Sequence, residues 1–119
     1  MTTEQQRINR LSGMRIDFDP NNRRVASTDV IFNGKEYWVS TVDLGIDYSF
    51  GDEYPVYWET MIFDKPEAGA TPRSLYCDRY ASKEEAESMH NRIVKSFELD
   101  NASLRSGYFE FDFSKGDEK

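Results

Sequence analysis

The sequence predicts an α+β domain: an antiparallel, hairpin-rich sheet of about four to six strands, one main helix at about 83–98 packed on one face, and a short N-terminal helix. Three observations carry this. Strand-like runs cluster ahead of the helix instead of alternating with helices, which is the α+β order. Asn33-Gly34 stands between two β-rich runs and is the strongest short hairpin signal, because both residues accept the positive φ of a type I′ turn. Ala86, Met89, His90, Ile93, Val94 and Phe97 recur at helical spacing and make one apolar stripe.

The elements follow in order. Thr2 or Thr3 caps the short N-terminal helix, with Gln5 or Gln6 answering, Ile8 and Leu11 on one side and Gly13 as its stop. Met14, Ile16 and Phe18 alternate with Arg15, Asp17 and Asp19, the pattern of a strand buried on one face. Asp19-Pro20-Asn21-Asn22 supplies turn chemistry. Arg24 to Phe32 is the next strand, and its hairpin partner runs from about Lys35 to Leu44. That partner puts Tyr37, Val39 and Thr41 on one side and Trp38, Ser40 and Val42 on the other. Bulk on both faces marks a central strand.

Gly45 to Glu53 reads as a loop, and Tyr54 to Asp64 as a strand. In that strand Val56, Trp58, Thr60 and Ile62 share one face, and Tyr57, Glu59, Met61 and Phe63 the other. Lys65 to Arg73, with two prolines and a glycine, is an exposed connection, and Ser74 to Tyr80 a short strand. Ser82 and Glu85 form a capping box for the main helix, Glu84 and Glu85 complement its dipole, and Asp100-Asn101 ends it. Leu104 falls in a further short turn. Phe109, Phe111 and Phe113 alternate with Tyr108, Glu110 and Asp112 as a last strand, and this apolar face must cover something, most simply the helix or the sheet.

The 119 residues suit a single domain spanning 1–119, with 114–119 as a frayed tail. The net charge of −7 repels phosphate backbones, so no direct nucleic-acid binding is expected. Cys77 is the only cysteine, which excludes an internal disulfide and fits a reducing cytoplasm. No apolar run has the length of a signal core or a membrane span, so the expected location is the cytoplasm.

The most distinctive stretch is Glu36 to Asp64. It holds Glu36, Asp43, Asp47, Asp52, Glu53, Glu59 and Asp64 without one Lys, Arg or His. Interleaved are Tyr37, Trp38, Tyr48, Phe50, Tyr54, Tyr57, Trp58 and Phe63. Such a segment is either a core hairpin with a solvated acidic loop or a recognition surface. On the second reading Asp43, Asp47, Tyr48, Asp52, Glu53, Tyr54 and Trp58 would contact a partner, with aromatic anchors and steering carboxylates.

Few residues suggest chemistry. His90 is the sole histidine and lies in the helical stripe, which favours a structural role; as a general base it would need Glu59 as partner. Glu59, if its strand face is buried, must pair or protonate, and Arg79 or His90 could be its partner. The acids at 43, 47, 52 and 53 do not match the spacing of a helix-loop-helix Ca²⁺ site. No phosphate-cradling loop and no cofactor motif is present, so neither metal nor cofactor is expected.

Three pieces resemble a group of small uncharacterised proteins of tailed bacteriophages: Ser40-Thr41-Val42-Asp43-Leu44-Gly45 with its continuation to Phe50, Trp58-Glu59-Thr60-Met61-Ile62-Phe63, and Arg79-Tyr80-Ala81-Ser82 leading to His90. The chain departs from that pattern at Tyr48, where His is common, and at Ser88-Met89, where a glycine precedes the histidine. The resemblance covers about the middle half of the chain. It implies viral origin and a bacterial host cytoplasm, but no activity. The functional expectation is a small acidic phage accessory protein that acts by protein–protein interaction with a basic partner, one version being inhibition of a host nucleic-acid-binding protein. The alternatives are a small enzyme using Glu59 and His90, and a homo-oligomeric structural protein, with a homodimer as its simplest form.

Overall fold

The computed structural model describes residues 19, 21–46 and 55–114. Strands β1 (Arg24–Phe32), β2 (Lys35–Asp43), β3 (Trp58–Asp64) and β4 (Ser74–Tyr80) form an antiparallel sheet in the order β1-β2-β3-β4. Helix α1 (Lys83–Glu98) follows, and β5 (Ala102–Arg105) and β6 (Tyr108–Phe111) make a separate two-stranded hairpin. The chain is therefore α+β. The N-terminal helix and the strand expected over Met14 to Phe18 lie outside the described residues. No helix among the described residues is long and apolar enough to cross a membrane.

The β1–β2 hairpin forms as its turn demands. Asn33 (φ 52°) and Gly34 (φ 78°) both take positive φ, and Phe32 pairs with Lys35. Strand β2 is central, so both its edges pair with neighbouring strands. Strand β3 begins at Trp58 and not at Tyr54. Pro55 has no N–H to give a ladder. Tyr57 still joins both sides irregularly: its N–H donates to the Tyr80 carbonyl (3.1 Å), and its carbonyl accepts from the Leu44 N–H (2.7 Å).

Helix α1 starts where the sequence signals it. Ser82 Oγ accepts the N–H of Glu85 at 3.1 Å, and Glu84 and Glu85 occupy the first turn. It stops at Asp100, whose φ of 61° turns the chain away, while the Leu99 N–H still reaches the Lys95 carbonyl. Its stripe packs on the sheet: Ala86 and Ile93 are fully buried, and Val94 and Phe97 line the core margin.

The core gathers at the Phe32 end of the sheet. Val30, Tyr37, Val39, Ile62, Leu75, Ile93 and Phe109 are buried together. Phe109 is fully buried and meets Phe32, Tyr37 and Phe97 edge-on at 5.3, 5.0 and 5.2 Å. These contacts answer the expectation that the terminal phenylalanines cover the helix and sheet. Where a short turn was expected around Leu104, β5 forms instead. Ser106 (φ 57°) and Gly107 (φ 78°) make a second two-residue turn of positive φ, which pairs Arg105 with Tyr108.

Candidate functional site

The alternation of β2 and β3 divides the polar residues between two faces. Tyr37, Val39 and Thr41 on β2, with Trp58, Thr60 and Ile62 on β3, face α1. Trp38, Ser40, Val42, Glu59, Met61 and Phe63 face away. Everything functional about Glu59 and His90 follows from this split.

His90 sits on the α1 side, only 2 % exposed. Its Nε2 lies 2.9 Å from Thr28 Oγ1 and its Nδ1 lies 2.8 Å from Thr41 Oγ1. Thr41 Oγ1 in turn lies 2.5 Å from Thr60 Oγ1. Thr41 and Thr60 are completely buried. Burial holds the imidazole below its ordinary pKa, so the ring is neutral near neutral pH. A neutral ring donates through one nitrogen and accepts through the other, and the hydroxyls can satisfy either tautomer. Threonine hydroxyls thus take both ring nitrogens. The missed signal was the pair of threonines at inward positions of adjacent strands, opposite the only histidine of the helical stripe.

Glu59 occupies the other face. It pairs in register with Arg79, whose Nε donates to Glu59 Oε2 at 2.9 Å. The Cys77 thiol donates to the same oxygen at 3.4 Å. Burial, reinforced by the Glu59 carboxylate, pushes that thiol up to about 11. It therefore stays protonated at neutral pH and is a poor nucleophile. The pairing of Glu59 with His90 is thus corrected: the sheet lies between them, and each has its own partners. Arg79, the other partner considered, is the one Glu59 takes.

Trp58 is also corrected. It was placed among the contact residues, but it is 8 % exposed and packs with Tyr80 and Ala86. The reason is legible in its strand: it shares a face with Thr60 and Ile62. Asp43 ends β2, and its Oδ1 accepts the Gly45 N–H at 3.0 Å. It lines a cleft of about 580 Å³ whose walls mix Asp19, Glu84 and Glu87 with Arg23, Arg24 and Lys83. A wall of mixed sign selects neither an anion nor a metal. No group of three or more His, Cys, Asp or Glu side chains able to hold a metal occurs among the described residues. Asp47, Tyr48, Asp52, Glu53 and Tyr54 lie outside the described residues.

The face turned away from α1 is the remaining candidate. Trp38 and Phe63 are cross-strand neighbours with ring centroids 4.8 Å apart. Ser40, Val42 and Met61 continue the row, all half-buried. No helix or strand among the described residues covers this row. Lys65 stands at its edge, 2.9 Å from Asp29 and 4.0 Å from Glu36, one base for two acids. Comparison with protein-family models, with curated proteins and with solved structures gives no match, so a functional reading rests on this geometry and on the sequence.

Proposed function

We propose that this chain is a small acidic interaction protein that engages a basic protein partner through the sheet face bearing Trp38 and Phe63. The observation that supports this reading is the half-exposed Trp38–Phe63 pair on a face without a covering element among the described residues. Flat rings supply contact area at low entropic cost. The acids of the Glu36–Asp64 segment supply attraction to positive charge. The positions of Glu59 and His90 weigh against the enzymatic alternative, because a general base without its partner has little to recommend it. The narrower version is a phage accessory protein that occupies the nucleic-acid-binding surface of a host protein. It draws on the resemblance to tailed-phage proteins and on the net charge of −7.

The test is capture of partners from bacterial lysate by the immobilised chain at about 50 mM and about 300 mM salt, since screening shortens the reach of exposed charges. Trp38→Ala and the triple variant Asp47→Asn, Asp52→Asn, Glu53→Gln should both lose a partner that the wild type holds at low salt. Equal capture by both variants at low salt would remove this face and the acidic segment from the reading.

A further inference from the structure

Strand β1 is an edge of the sheet, and its outward backbone can be derived from the hairpin turn. A two-residue type I′ turn closes on a pair that exchanges both backbone hydrogen bonds, here Phe32 and Lys35. Such pairs alternate along an antiparallel ladder. Val30 with Tyr37 and Thr28 with Val39 therefore bond inward. Ser27, Asp29 and Ile31 turn both N–H and C=O outward. No strand among the described residues pairs with that edge. The opposite edge is treated differently: the Tyr108 hydroxyl accepts from the Cys77 N–H and donates to the Cys77 carbonyl, capping β4.

Beside the open edge runs a groove of about 320 Å³ between β1 and α1. Thr28 and Val30 form one wall and Val94 and Phe97 the other, with Asp29 and Glu98 at the rim. Ile31, at the same edge, is 64 % exposed, the most exposed large apolar side chain described.

We propose that this edge and groove form a strand-addition site for an extended peptide segment of a partner protein carrying an apolar–basic–apolar triplet. The inference rests on the interaction reading above and adds where a partner docks and by what pattern. The row of outward N–H and C=O groups requires an extended backbone as occupant. Strand alternation then sets the side chains. Residues opposite Thr28 and Val30 point into the groove, against Val94 and Phe97, and must be apolar. The residue between them lies opposite Asp29, on the Trp38 side. There Lys65 serves both Asp29 and Glu36, so a second cation meets net negative charge. Charge disfavours a second copy of this chain as occupant. Pairing two β1 edges would bring Asp29 and Glu98 of each copy near those of the other, between molecules of charge −7.

The probe is a displayed library of random ten-residue peptides, selected on the full chain. Peptides enriched on the wild type should carry the apolar–basic–apolar order. Ile31→Pro removes one outward N–H and leaves the β1–β2 ladder intact, so it should weaken the selected peptides by about tenfold or more. Ile31→Thr keeps that N–H and should retain most of the affinity. Selection on Asp29→Lys should exchange the middle residue for Asp or Glu. Amide exchange at Asp29 and Ile31 should be fast in the free chain and slow with peptide bound.

The proposal is overturned if no sequence pattern is enriched, or if Ile31→Pro and Ile31→Thr bind alike. It is also overturned if those amides are already protected in the free chain. Concentration-dependent protection would mean a second copy at the edge. Concentration-independent protection would mean the chain's own Met14-Arg15-Ile16, which has the same order of residue types. Lysate capture that depends on Trp38 while the peptide selection fails would leave the interaction reading standing and remove only this site.

Discussion

The Tyr108 hydroxyl holds both backbone groups of Cys77: it accepts the N–H at 3.1 Å and donates to the carbonyl at 3.0 Å. One side chain thus occupies the outward donor and acceptor of an edge residue, as another strand would. The same contact ties the β5–β6 hairpin to the sheet, beside the Tyr76–Tyr108 ring contact at 5.6 Å. An edge blocked in this way is protected against pairing with another chain.

Tyr108→Phe keeps the ring contact and frees the Cys77 backbone. Because the site is exposed, water replaces the lost bonds, and the stability loss should be about 0.5–1 kcal/mol. Exchange of the Cys77 amide should accelerate well beyond what that global loss explains. Unchanged protection of that amide would show that the hydroxyl does not cap the edge.

Asp64 closes the connection between β3 and β4. Its Oδ1 accepts the backbone N–H of Arg73 at 2.8 Å, and its Oδ2 accepts Arg73 Nε at 2.9 Å. The backbone N–H first, and then the guanidinium, hold the carboxyl below its ordinary 3.8. The Arg73 side chain is 70 % exposed, so its charge is well screened. Asp64→Ala should therefore cost about 1–3 kcal/mol, and Arg73→Ala, which keeps the backbone donor, under about 1 kcal/mol. Urea unfolding of the two variants checks the order. Equal losses would place the stabilisation in the ion pair.

Much of this fold was legible because local signals agreed with burial. Asn33-Gly34 fixed one hairpin, and the Ser82–Glu85 box with its apolar stripe fixed the helix. The second hairpin was missed although Ser106-Gly107 carries the same kind of turn. Its second strand was legible in the alternation of Phe109 and Phe111 with Glu110, but its first, β5, is only four residues long, too short for alternation to register. The site was less legible. The two faces of β3 were separated correctly in sequence, yet which face met the helix depended on tertiary packing. That choice decides whether Glu59 or Thr60 lies near His90, and whether Trp58 anchors a partner or the core.

Ile93 is fully buried against the sheet, in the core cluster with Val39, Ile62 and Phe109. Ile93→Asp would place a carboxylate there without a cation partner and should cost on the order of 3–5 kcal/mol. Thermal melting is sufficient to read this. A wild-type-like melt would mean that the stripe does not face the sheet.

His90 makes the last prediction, because it is the chain's only histidine and its ring is sealed among threonines. Burial lowers its pKa below 6.5 in the folded chain, whereas the unfolded chain titrates near 6.5. Above that value both states are neutral and the folded state keeps its full stability. As pH falls below it, the unfolded chain binds a proton that the folded one refuses. Stability is lost until the folded ring itself titrates. Urea midpoints should therefore hold steady above about pH 6.5 and drop as pH falls from there towards about pH 5.5, above the range in which ordinary carboxylates titrate. His90→Gln can still donate and accept within the threonine network and should flatten that dependence. His90→Leu should flatten it too, but at a cost of about 1–3 kcal/mol at neutral pH, because Thr28 and Thr41 lose their ring partner. A wild-type slope that survives in both variants would show that the imidazole is not the group responsible.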